Sequence, residues 1–134
     1  IRREEVGKTA STVAKYGKVR KKLVSLQQKI ASENDVIMDG RDIGTVVLPN
    51  AEVKIYLTAS SGVRAERRYK ELQEKGETCD LDQIEKDIIL RDEQDMNREI
   101  SPLRQADDAI LVDSSDMSIE EVVNCLIDIV KKAD

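Results

Sequence analysis

Val36-Ile37-Met38-Asp39-Gly40-Arg41-Asp42-Ile43-Gly44-Thr45-Val46-Val47-Leu48-Pro49 is an apolar run that is broken by Asp-Gly-Arg-Asp and then resumes. Val36 to Met38 read as a short buried strand, and Gly40 and Gly44 permit tight or left-handed backbone where the chain leaves it. Asp39, Arg41 and Asp42 are thereby placed at a strand's carboxyl end, where open α/β sheets bind their ligands. One guanidinium between two carboxylates suits a phosphorylated polar ligand. Arg41 can grip phosphate oxygens through its planar fork while a carboxylate accepts from an amino or hydroxyl group. An internal Arg–Asp pair that only orders a turn fits the same spacing equally well.

Upstream, residues 1 to 32 form one long helical pattern with a weak point at Tyr16-Gly17. Val13, Val19, Leu23, Val24, Leu26 and Ile30 supply an apolar stripe, while Ser11 and Arg20 fall near the junction, where a polar pair can face either a pocket or solvent. Gly7-Lys8-Thr9 has the tail of a P-loop but not its body. The pattern GxxxxGKS/T would need its first glycine where this chain has Arg2, and a strand before it.

Downstream, Val53 to Thr58 alternates and carries β-branched residues, so it is predicted as a strand. Ser60 and Ser61 offer N-caps for a helix to about Lys75, stopped by Gly76. Arg64, Arg67 and Arg68 stand at i, i+3 and i+4 on that helix, as an anion site or as a solvated face paired with Glu66 and Glu71. A second helix is predicted from about Leu81 to Asn97, and the short polar link between the two gives them the form of a mobile flap. On it Arg91, Asp95 and Arg98 make one stripe, either an ion-pair ladder or a clamp for phosphate and hydroxyl, with Ile84, Ile88 and Ile89 on the packing side. Ala109 to Asp113 reads as a strand covered on both faces. Ser118 with Glu121 forms a capping box for the last helix, whose buried face is predicted to be Ile119, Val122, Val123, Leu126, Ile127 and Val130, with Cys125 as core filler.

Composition narrows the function classes. The 134 residues carry a net charge of −5, so bulk attraction to nucleic acid or to an anionic membrane is not implied. The charge is uneven: Arg2, Arg3, Lys8, Lys15, Lys18, Arg20, Lys21, Lys22 and Lys29 face only Glu4 and Glu5 at the start, which fits a local anion site better than a polyanion groove. Phe and Trp are absent and only three tyrosines remain for base stacking, which argues against an RNA-binding module. Cys79 and Cys125 are far apart with no His to complete a zinc set, so no metal site and a reduced, cytoplasmic setting are expected. No apolar stretch reaches membrane-spanning length.

The wording of the motifs goes further. Asp39-Gly40-Arg41-Asp42-Ile43-Gly44-Thr45-Val46-Val47, then Pro49-x-Ala51-x-x-Lys54-Ile55, Arg64-Ala65-x-Arg67-Arg68, and Arg91-Asp92-x-x-Asp95-x-x-Arg98-x-x-x-Pro102-Leu103 resemble the bacterial cytidylate kinases, of the nucleoside monophosphate kinase family. So do Ala10-Ser11-x-Val13-Ala14, Val19-Arg20, Asp113-Ser114 and Ser118-Ile119-Glu120, and the resemblance runs along essentially the whole chain. It implies an α/β, P-loop NTPase-like three-layer fold, with a parallel sheet flanked by helices. It also implies transfer of the terminal phosphate of ATP, with Mg²⁺, to CMP or dCMP. By motif, Ser11, Arg20 and Asp42 would recognise cytosine, Arg41 and Arg98 the acceptor phosphate, and Arg91 and Asp95 the sugar. Asp39 would contact the ligand or support Arg41, and the helix of Arg64, Arg67 and Arg68 would border the donor nucleotide and lid.

Against that family the first strand, the P-loop and its lysine are expected upstream of Ile1. The 134 residues are then the C-terminal part of a single kinase domain, with a lid-like helical hairpin within about 61–100. The first strand would lie between Val36–Met38 and Val53–Thr58, so the sheet is expected to have a central gap, and the chain alone to be inactive and free to self-associate. The whole family member is expected to be a monomer with neither nucleic-acid nor membrane partners. A non-catalytic nucleotide- or partner-binding module that dimerises through the incomplete sheet is the alternative. Gly17 stands where the family usually has proline, which loosens the helix junction before Arg20.

Overall fold

β1 (Ile55–Thr58) and β2 (Ile110–Asp113) pair in parallel, Ile55 opposite Ile110 and Thr58 opposite Asp113, in a computed structural model that describes residues 16–133 together with Val6, Thr9, Thr12 and Val13. Parallel pairing demands a long crossover. It is supplied by α2 (Ser61–Glu74) and α3 (Leu81–Met96), which pack on each other. α1 (Gly17–Glu33) precedes this unit and α4 (Ile119–Lys131) follows it.

Local chemistry explains most of the element ends. The Ser60 hydroxyl accepts from the Val63 amide at 3.3 Å, the Asp80 carboxylate from the Gln83 amide at 2.7 Å, and Ser118 and Glu121 exchange both bonds of a capping box. Gly76, at φ 74°, takes the left-handed turn that closes α2. In the last turn of α2, hydrogen bonds from Lys75 and then Arg68 hold the Glu71 carboxyl down at about 2. A depressed carboxylate adds stability above its ordinary pKa and loses it as pH falls through the folded value. The end of α2 is therefore expected to loosen between about pH 4.5 and 2, read as far-ultraviolet dichroism, and Glu71→Gln removes that transition.

Three sequence expectations are corrected. Val36 to Met38 are not a strand, and Ile37 is fully exposed. A strand exists only through a neighbour that takes its amides and carbonyls, and the two-stranded sheet offers none beside this segment. A cavity of about 530 Å³ is walled instead by Met38, Asp39 and Gly40 and by residues 55–59 of β1 and its end. Second, β2 is not covered on both faces, since Val112 is buried while Ile110 and Leu111 are exposed.

Third, the apolar stripes of the outer helices split. Val24 and Ala31 of α1 are partly covered, whereas Val19, Leu23, Leu26 and Ile30 face solvent. On α4, Val122, Leu126 and Ile129 are half-buried while Ile119, Val123, Ile127 and Val130 are exposed. Each helix carries more apolar surface than the described residues can cover, so only part of each stripe finds a partner. Cys125 sits on the half-buried side of α4, consistent with a packing role.

The interior is unusually polar. Val47, Ala59, Ala65 and Val112 are its buried apolar residues, and beside them lie Asp42, Asp95 and Ser114. Two buried carboxylates in so small a core need cations, which leads to the site.

Candidate functional site

The segment from Asp39 to Val47 is built around the Asp42 carbonyl. It accepts from the Val46 amide at 2.9 Å and the Val47 amide at 3.2 Å, and Leu48 closes on Ile43 at 2.7 Å, so Ile43–Val47 form a single π-helical turn. Such wide turns recur at functional sites because they re-aim the side chains next to them. Gly40 is required by close approach and not by a left-handed φ: a Cβ there would lie 2.9 Å from Ile43 Cγ1. Gln28 of α1 donates to the Val47 carbonyl at 3.0 Å and fastens this turn to α1.

That fastening brings Arg20 over Asp42, which is 8% exposed, and the two form an ion pair. Next along the chain, Arg41 Nε donates to Asp95 Oδ2 at 2.6 Å, and Arg98 donates to the other oxygen of the same carboxylate. Asp95 is 3% exposed and so sits as a buried bridge between two guanidiniums. The turn after α3 is tied to the same residue, because the Leu103 amide donates to the Asp95 carbonyl at 2.8 Å. Arg91 has no ion pair among the described residues.

The field of this cluster is positive. Burial first, then the neighbouring charges of Arg41, Arg20 and Arg91, pull the pKa of Arg98 below its ordinary value, against the opposing charge of Asp42. Three guanidiniums share two carboxylates and the charge of Arg91 adds a fourth cation, so an added anion would relieve repulsion that the described residues leave in place.

Arg20, Arg41, Asp42, Asp95 and Arg98 are thus brought together, with Arg91 close enough for its charge to be felt. Ser11 lies outside the described residues. Asp39 is exposed and makes no bond among them, and it lines the 530 Å³ cavity with Arg41, Arg64 and Arg67. The three arginines of α2 have separate duties. Arg64 makes a two-pronged pair with Asp92 of α3 at 2.5 and 3.0 Å, and its hydrogen bond raises the arginine pKa. Arg67 donates to the Ser114 carbonyl at 2.6 Å and reaches Met117, and Arg68 pairs with Glu71, the partner named from sequence.

Two residues escaped the sequence reading. Asp92 is adjacent to Arg91, but nothing in the spacing shows that it meets Arg64 across the hairpin. Ser101, whose hydroxyl accepts from Arg20 Nε at 2.9 Å, stands 81 positions from its partner, and no spacing pattern points to it. Among the described residues no group of three or more His, Cys, Asp or Glu side chains converges to hold a metal. No described helix is long and apolar enough to cross a membrane.

Comparison with known proteins identifies the family. A family model described as cytidylate kinase matches residues 1–132. The chain is 52% identical to the cytidylate kinase of Thermosipho africanus over 97% of its own length and 59% of that protein's. It is 52% identical to that of Lactobacillus johnsonii over 98% and 57%, and 54% identical to that of Streptococcus pneumoniae strain Hungary19A-6 over 92% and 55%. The chain therefore spans less than two thirds of the length of these curated relatives. With a match along almost every residue and the arginine–aspartate cluster of its central motif assembled, the chain belongs to the cytidylate kinase family.

Proposed function

We propose that this chain forms the acceptor-binding side of a cytidylate kinase, which phosphorylates CMP or dCMP with ATP. The observation that carries the reading is the buried Asp95 carboxylate holding Arg41 and Arg98 side by side, beside the Arg20–Asp42 pair. Phosphoryl transfer is chiefly positioning and charge stabilisation. Arg41 and Arg98 present donors already oriented by one carboxylate, so little reorganisation is needed when a phosphate arrives. Asp42 offers an acceptor and Arg20 donors to a pyrimidine edge whose amino group, ring nitrogen and carbonyl need both kinds. Arg91, which has no ion pair among the described residues, offers donors for the sugar hydroxyls, one helical turn from Asp95.

Asp39, Arg64 and Arg67 line the larger cavity beyond Arg41, on the side assigned to the donor nucleotide and lid; Arg68 lies on the same helix. ATP with Mg²⁺ supplies the transferred group when bound, and the family resemblance is what supports both. The same reading places the protein in the cytoplasm as a monomer acting on small nucleotides.

The test is discrimination between CMP and UMP, measured as the ratio of kcat/KM values in the protein that carries this chain. Asp42→Ala removes the acceptor that meets cytosine's amino group, so the preference for CMP is expected to fall at least tenfold, mainly through KM for CMP. A wild-type protein that does not prefer CMP, or an Asp42 variant with the preference intact, sinks the assignment.

A further inference from the structure

Ser101 is the non-glycine residue that takes a left-handed backbone among the described residues, at φ 54°. The following Pro102 narrows the choice further, because a residue before proline is kept out of the right-handed helical region. A non-glycine side chain in this conformation is held there by its surroundings, and such outliers cluster at functional sites. Two ties hold this one: the Leu103 amide on the Asp95 carbonyl at 2.8 Å, and the Ser101 hydroxyl on Arg20 Nε at 2.9 Å.

The second tie matters because of what Arg20 does. Asp42 takes one terminal nitrogen of its guanidinium and Ser101 takes Nε, so the plane of the fork is set from two sides. Arg20 and Ser101 also line one cavity of about 370 Å³, together with Val24, Gln28, Val46 and Ile100. Without the serine, the guanidinium could turn about its bond to Asp42.

We propose that Ser101 is a positioning residue for the recognition of the pyrimidine nucleotide, acting through Arg20. The inference rests on the reading of Arg20 as a cytosine contact. Ser101 orients the Arg20 fork so that its remaining donors meet the base, and it couples the turn that carries Arg98 to the base-recognising pair. Base and phosphate contacts are thereby held in register by one short turn.

The experiment compares wild type, Ser101→Gly and Ser101→Ala in the protein that carries this chain. Glycine suits φ 54° better than serine, so a merely structural role predicts a variant at least as stable and fully active. We expect instead that Ser101→Gly keeps its melting temperature, raises KM for CMP about tenfold and changes kcat less than threefold, with Ser101→Ala alike in KM. The Arg20 Nε–H nitrogen-15 resonance is expected to shift and its hydrogen to exchange faster with water in both variants. KM within twofold of wild type, or an unchanged Arg20 resonance, overturns the proposal. Should the wild type phosphorylate no CMP, the reading of Arg20 as a cytosine contact fails, while the resonance still decides whether Ser101 orients Arg20.

Discussion

Asp95→Ala is expected to lower the unfolding free energy by about 3 kcal/mol, the low end for removing one partner of a buried ion pair. The carboxylate is 3% exposed and answers two guanidiniums, so its loss leaves Arg41 and Arg98 facing each other with nothing between them. The effect stays at the low end because the Arg41 side chain is 43% exposed and can rehydrate. Asp95→Asn, which keeps the volume and one acceptor, should lose about half as much. Urea unfolding of the two variants against wild type checks the ordering, and a loss under about 1 kcal/mol for the alanine variant would show that the bridge is dispensable to the fold. An anion should partly rescue either variant, since phosphate can take the place of the missing charge; a melting temperature insensitive to phosphate would contradict that account.

Arg98→Ala is expected to lower kcat for CMP phosphorylation by about 10² to 10³, the range seen when one preorganised donor to developing charge is removed. The argument comes from the strain on this residue. Burial and the cations Arg41, Arg20 and Arg91 all disfavour its charge, and the carboxylates Asp95 and Asp42 offset only part of that, so a bound anion would be favoured beside Arg98. Arg98→Lys keeps the charge but loses the planar fork, and should recover no more than about a tenth of the lost rate. A change confined to KM would assign Arg98 to ground-state binding, and unchanged kinetics would remove it from the site.

These two variants separate the parts of the chain that were legible in the sequence from those that were not. The limits of α2 and α3, the turn at Gly76 and the capping box at Ser118 follow from neighbours within a few positions. They emerge in the structure within a residue or two of where the pattern put them. The central motif was legible as a cluster of charge, and the resemblance named its chemistry. Its pairing was not legible: Asp95 stands at i+4 from Arg91 and three before Arg98, yet its second partner is Arg41, 54 positions away. Arg64 likewise passes over Glu66 and Glu71 for Asp92, 28 positions on.

What the sequence by itself determined here is therefore local: helix periods and caps, the Asp-Gly-Arg-Asp break, an excess of basic residues over its first thirty positions, and the family. Those features depend on hydrogen bonds and side-chain spacing within one or two turns, which any short window contains. Tertiary structure alone decided which carboxylate answers which arginine, and that Ser101 in a left-handed turn meets Arg20. It also decided that Val36 to Met38 stay unpaired beside a cavity and do not form a strand. The reason is common to all three. Desolvation makes a charge or a backbone amide choose the partner that folding brings within about 3 Å, and sequence distance does not enter that choice.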